Sequence, residues 1–284
     1  MAIPTLVLIA LTAGLSLVLF VQSIWGTKWQ HTSYFGFVWA FLLAFTVAEL
    51  GYFRPGNWIL GVLSFLALRE FFSMIDFRLQ DRLAVLGAYA FIPFMFHFVT
   101  IDWYGMFIVS IPVYGFLTIP LLISLNGKET EGTIFSIGII FFGMFLFVYC
   151  MGHISYLMRV EPWMAVMLIL NVALCDFVMM FWKRTLVSDW RKCALQYLTS
   201  IPVTLLLTFI LSQWTEIPIQ HSLMLGLLIP LLVQMGHRTG TYVEEDLGIQ
   251  KNELLPGRGQ IMDHLKSLLF TSPVVFHYVW YFLT

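Results

Sequence analysis

Residues 162–182 read PWMAVMLILNVALCDFVMMFW, and a single charge, Asp176, stands in the whole run. An α-helix rises about 1.5 Å per residue, so a run of about 20 apolar residues crosses ~30 Å of hydrocarbon. This stretch is therefore expected to be a membrane-spanning helix. Nine more runs read the same way, at 5–21, 34–53, 57–75, 83–101, 105–125, 133–154, 195–214, 217–235 and 268–283. Pro93 interrupts the fourth in chain order, and Pro112 and Pro120 interrupt the fifth. These two are expected to be kinked or re-entrant, since proline is tolerated at membrane depth where neighbours satisfy the backbone.

Composition supports the same class. Charged residues make up 11% of the 284, hydrophobic ones 60%, and mean hydropathy is +0.86. Soluble domains average about 25% charged residues, so this chain cannot cover itself with a water-facing surface. The expected fold is all-α, a polytopic bundle of about ten spans forming one integral membrane domain over residues 1–284. The first run lacks a basic leader and a small-residue cleavage site, and is expected to be a retained span. A net charge of −1 and a pI near 6.6 exclude nucleic acid as a partner. Cys150, Cys175 and Cys193 form no CxxC pair, which argues against a disulfide framework or a zinc ribbon.

The distribution of charge orients the chain. With ten spans, 13 of the 15 Lys and Arg fall in the odd-numbered connections, and only Arg54 and Arg159 fall in the even ones. Lys and Arg resist translocation, so the odd connections should be cytoplasmic and both termini non-cytoplasmic.

Several residues are candidates for chemistry. A carboxylate at a helix centre costs about 2.5–3.5 kcal/mol on insertion scales. Asp176 is therefore either a functional group facing a cavity or one partner of an interhelical bond. Glu49 near Arg54, and Arg69 beside Glu70, read as local ion pairs. Lys183, Arg184, Arg191 and Lys192 form a basic cluster at the cytoplasmic edge, either a topology anchor or a clamp for a phosphate. Residues 236–267 read as a long polar cytoplasmic loop, and loops beyond ~12–15 residues are usually functional. Within it, Pro256, Gly257 and Gly259 make a tight turn, with Asp263 after it at the mouth of the last span.

The segment LLPGRGQIMDHLKSLLFTSPVVF, residues 254–276, resembles the end of the CTP:phosphatidate cytidylyltransferases, or CDP-diglyceride synthases. Those enzymes carry L-P-G-H-G-G-x-x-D-R-x-D-S-L before a final span. Leu255, Pro256, Gly257, Gly259, Asp263, Ser267 and Leu268 match it. Upstream, ALREFF at 67–72 resembles the family's early Glu-aromatic motif. Residues 225–236 resemble its penultimate span, and Asp176 falls where the family carries an Asp. The resemblance implies transfer of CMP from CTP to phosphatidate, giving CDP-diacylglycerol and pyrophosphate. Asp263 and Asp176 would then be catalytic. Lys183, Arg184, Lys192, Gly257, Arg258, Gly259 and Lys266 would hold substrate. The implied cofactor is Mg²⁺, on Asp263 with His237. The implied partners are CTP, an anionic phospholipid and the membrane, with a homodimer allowed. The expected location is a bacterial inner membrane.

The chain also departs from that pattern. Arg258 stands for the family's His and Gln260 for its second Gly. The D-R-x-D run reads Asp263-His264-Leu265-Lys266. His237 stands where an acidic residue is usual, and Glu244-Glu245 where a basic pair is usual. Mg²⁺ prefers hard oxygen ligands, so one carboxylate and a neutral imidazole make a poor site. Arg258 and Lys266 are then expected either to contact phosphate directly or to occupy the old metal position. The alternative reading is a catalytically weakened relative that binds lipid or nucleotide, or that partners another membrane protein.

Overall fold

The computed structural model describes residues 3–25, 32–126, 130–182, 189–215, 217–248 and 260–283. The chain folds as α1 (Ile3–Trp25), α2 (Thr32–Glu49), α3 (Phe53–Ser73), α4 (Arg82–Thr100), α5 (Tyr104–Val109) and α6 (Phe116–Asn126). There follow α7 (Thr133–Met144), α8 (Met151–Val160), α9 (Pro162–Trp182), α10 (Asp189–Thr215), α11 (Ile219–Asp246) and α12 (Gln260–Leu283). A π-helical turn, Ser110–Gly115, joins α5 to α6, and another, Phe145–Cys150, joins α7 to α8. No strand occurs among the described residues.

Each of the ten runs expected from sequence lies on a helix. Seven helical bodies among the described residues are long and apolar enough to cross a membrane. These are α1, α4, the α5–α6 and α7–α8 rods, α9, α10 and α11; α2 is a shorter apolar helix. Pro93 sits inside the unbroken α4, and Pro112 lies in the π turn of an otherwise continuous rod. A widened turn accommodates a residue that cannot donate to the i−4 carbonyl.

The expected loop at 236–267 is corrected by the structure. α11 runs on through its polar end to Asp246, and α12 begins at Gln260, before the apolar run starts. The i, i+4 spacing of Gly236, Gly240 and Glu244 explains this, because all three lie on one buried stripe of α11. A Cβ on Gly236 would lie 2.9 Å from the Lys266 carbonyl oxygen, and one on Gly240 would lie 2.5 Å from Lys266 Cβ. Small residues four apart let two membrane helices approach closely.

α8 and α9 form the centre, with Met151–Met158 buried throughout and Trp163–Ile169 enclosed. Helices apolar all round belong in an interior. α1 is peripheral and exposes Ile3, Leu17, Phe20 and Ile24, as expected of a lipid-facing surface. It is fastened to α2 by Trp39 Nε1, which donates to Ser16 Oγ at 2.7 Å, and by Thr5, which donates to Glu49 at 3.1 Å. Thus Glu49 has a helix–helix donor instead of resting on its sequence neighbour Arg54. Deeper in the bundle Asn57 donates to the Phe96 carbonyl and to Thr100 Oγ1, both at 2.8 Å, and Ser64 donates to the Phe147 carbonyl at 2.6 Å. Such interhelical bonds add about 0.6 kcal/mol each on average in membranes.

Gly236→Ala is expected to wedge α11 from α12 and lower stability by roughly 1–3 kcal/mol. Gly138→Ala, where an added Cβ meets nothing within 4 Å, should leave stability unchanged or raised. Unfolding of both variants in detergent micelles checks the difference, and equal behaviour would refute the close contact.

Candidate functional site

The bundle gathers its polar side chains at the end where α3, α9 and α11 finish and α12 begins. Four helices contribute to the opening turns of α12. Glu70 of α3, buried, accepts a hydrogen bond from the Ile261 backbone N–H at 2.9 Å. The first N–H groups of a helix have no partner within it and carry its positive dipole end, so a carboxylate is favoured there. The local pairing expected for Glu70 is thereby corrected, since its bond reaches across the fold to α12.

One turn on, Lys266 is the centre of an ionic cluster. Its Nζ lies 2.8 Å from Glu244 Oε2 on α11 and 2.5 Å from Asp263 Oδ1, with Thr241 Oγ1 at 3.4 Å. Lys266 and Glu244 are 4% and 2% exposed, so this contact is shut off from solvent, while the Asp263 side chain is partly open. Gly240 makes the seal, because the Lys266 stem lies on it.

Next along α12, Ser267 Oγ donates to Asp176 Oδ1 at 2.8 Å, and Tyr34 Oη of α2 donates to Asp176 Oδ2 at 3.2 Å. Both oxygens of the intramembrane carboxylate are therefore bonded across helix boundaries. The His264 ring lies edge-on to Tyr34, with centroids 5.4 Å apart, and against Phe37. Asp176, Ser267, His264 and Asp263 thus share one region with Lys266.

Of the sequence candidates, Asp176, Asp263 and Lys266 are brought together. His237 lies on α11, one residue beyond the Gly236 contact, and Lys192 lies in the first turn of α10. Lys183, Arg184, Gly257, Arg258 and Gly259 lie outside the described residues. Sequence reasoning missed Glu244 and Glu70 as members of the cluster. The signal for Glu244 was its four-residue spacing from Gly240 on a polar helix; for Glu70 it was the Glu-aromatic stretch ALREFF at 67–72.

The donor set decides how a divalent ion would fare. Among the described residues no group of three or more His, Cys, Asp or Glu side chains is gathered to hold a metal. The one carboxylate expected to ligate Mg²⁺, Asp263, is already bonded to an ammonium that also bridges Glu244. Mg²⁺ requires near-octahedral oxygen ligands at about 2.0–2.1 Å. The described residues do not fit that requirement, because Lys266 already engages the Asp263 carboxylate and no further oxygen ligands are gathered beside it.

The chain matches the cytidylyltransferase family over residues 33–282. It belongs to that family. The membrane helices and the match to a phosphatidate cytidylyltransferase described next make it an integral membrane protein. An uncharacterized protein of Escherichia coli (strain K12), YnbB, is 24% identical over 261 residues, covering 86% of this chain and 85% of that one. A phosphatidate cytidylyltransferase of Synechocystis sp. (strain ATCC 27184 / PCC 6803 / Kazusa) is 37% identical over 68 residues, 24% of this chain and 23% of that protein. No solved structure matches.

Lys266→Met is expected to destabilise the protein by about 3–5 kcal/mol, because it takes the ammonium from a buried carboxylate. Lys266→Met with Glu244→Leu should recover most of the loss. Thermal unfolding of the two variants measures this, and an unchanged midpoint for Lys266→Met would refute the cluster.

Proposed function

We propose that this protein transfers CMP from CTP to phosphatidate or a closely related phospholipid, forming CDP-diacylglycerol at the cytoplasmic face of a bacterial inner membrane. On this reading all ten helical runs cross, and both termini are non-cytoplasmic. The observation that carries the reading is the convergence of Asp176, Asp263 and Ser267 on the opening turns of α12. That segment bears the family's signature residues, and family membership supports the coarse activity.

In the reaction a phosphatidate phosphate oxygen attacks the α-phosphorus of CTP. A new P–O bond forms, the bond to the β-phosphate oxygen breaks, and pyrophosphate departs with the electron pair. Positioning and charge stabilisation supply most of the catalysis of such transfers. Asp263 stands at the cluster's open edge with the buried Lys266 ammonium behind it, whose charge offsets the carboxylate's where phosphate oxygens approach. Asp176 fixes Ser267 and Tyr34, which sets the register of α12 beneath the nucleotide. Lys183, Arg184, Lys192 and Arg258 balance the triphosphate, and Gly257 and Gly259 let backbone approach it.

The structure also favours a second reading. Lys266 is flanked by two carboxylates, which damps its pull on a phosphate. A relative weakened in catalysis would then retain lipid or nucleotide without turning it over.

Purified protein with labelled CTP and phosphatidate, with and without Mg²⁺, separates the two. The first reading predicts labelled CDP-lipid, with the rate reduced by about 10² or more in Asp263→Asn and Asp176→Asn. No product under any metal condition would remove the transferase reading and leave the binding one. Product unaffected by both substitutions would move the site elsewhere.

A further inference from the structure

The opposite end of the bundle holds an open cavity of about 480 Å³, lined by Phe53, Asp102, Tyr156, Arg159, Pro162 and Trp280, among others. It lies where α8 and α12 finish and where α3 and α9 start. The charge pattern gives it a first peculiarity. Only Arg54 and Arg159 break the 13-to-2 bias of Lys and Arg. Arg159 lines the cavity, and Arg54 lies next in sequence to its wall residue Phe53. A positive charge kept on the disfavoured side needs a reason, because it works against the bias that orients the chain.

The wall is built. Arg159 Nε lies 3.2 Å from Asp102 Oδ1, its Nη1 donates to the Thr100 carbonyl at 3.2 Å, and the guanidinium sits 5.2 Å from the Phe53 ring centroid. Tyr156 Oη donates to the same Asp102 oxygen at 2.6 Å. The Trp280 ring stacks on Tyr104 at 4.5 Å and meets Tyr156 edge-on. Asp102 itself has φ of 60°, the left-handed region that non-glycine residues seldom occupy. Its surroundings hold it there, with the carboxylate at the cavity's rim. The hydrogen bond from Tyr156, aided by the Arg159 charge, keeps its carboxyl below the usual carboxylate range. Asp102 is therefore an anion at neutral pH.

We propose that this cavity binds the head group of a zwitterionic phospholipid, with the phosphate on Arg159 and the ammonium between Asp102 and the Trp280 ring. The argument is charge complementarity at head-group depth. Both bonds to Asp102 fall on Oδ1, which leaves Oδ2 for an incoming cation. The guanidinium has five N–H donors, and its bonds to Asp102 and Thr100 engage two of them. The remaining fork suits a phosphate. A purely anionic head group would face Asp102 and a purely cationic one would face Arg159, whereas a head group bearing both charges opposes neither. Trp280 and Tyr156 line the same cavity, and Trp and Tyr are at home at this depth of a bilayer.

Native mass spectrometry of the delipidated full chain, titrated with phosphatidylethanolamine or phosphatidylglycerol, tests the proposal. Phosphatidylethanolamine should bind about tenfold more tightly, one well-made charged contact's worth. Arg159→Gln should weaken it by a similar factor. Asp102→Asn should erase the preference between the two lipids. Should Arg159→Gln fail to fold, Arg159→Lys, which keeps the charge and loses the fork, should still lower affinity severalfold. Asp263→Asn at the other end should leave the binding unchanged. Equal binding of both lipids by the wild type, or undiminished phosphatidylethanolamine binding in the Arg159 variants, would overturn the proposal. Loss of binding in Asp263→Asn would also overturn it, by moving the lipid to the other end.

Discussion

A single ammonium, Lys266, sits between Glu244 and Asp263 where α11 lies against α12. Much of the polar end of the bundle depends on that contact. In a low-dielectric setting each carboxylate is costly alone, and the shared cation makes the pair tolerable. The close approach at Gly236 and Gly240 brings Glu244 within reach. Lys266 then sets the rotation of α12, so that Asp263 and, one turn on along the same face, Ser267 are both brought towards Asp176. Glu70 completes the arrangement by accepting from the Ile261 backbone N–H in the first turn of α12. Helices from the first and second halves of the chain are thus tied to one short segment.

This arrangement bears on how the family's chemistry is carried. Lys266 places a positive charge between the Glu244 and Asp263 carboxylates. The charge therefore comes with the fold and is present without a bound ion. Its reach toward a phosphate is limited by the two carboxylates that hold it. The same residue accordingly links stability and electrostatics at this end of the bundle. At the far end, the polar groups follow another logic: Arg159 and Asp102 lie side by side and nearly cancel, under aromatic rings.

Much of the helical architecture was legible in the sequence, because hydrocarbon burial leaves so strong a compositional trace. Asp176 also stood out, since a lone carboxylate in an apolar run needs a partner. Its partners Tyr34 and Ser267 lie on α2 and α12, far away in sequence, and local reading cannot supply them. The stretch after Gly236 misled for a physical reason. Its charges read as solvent-facing loop, while one face of a helix was binding α12 through glycines and Glu244. Glu70 misled in a similar way, because Arg69 beside it offered an easy local partner, while its bond from the Ile261 N–H spans 191 residues. Polarity reports on water, but it does not distinguish water from a buried polar neighbour on another helix.

Nucleotide binding at the Lys266 end of the bundle, and not at the Arg159 end, is tested most directly by hydrogen exchange of the full chain with and without CTP. Added protection is expected in the first turns of α12 and in the second half of α9, with residues 100–105 and 156–162 unchanged. Protection confined to those latter residues, or no change at saturating CTP, would contradict it.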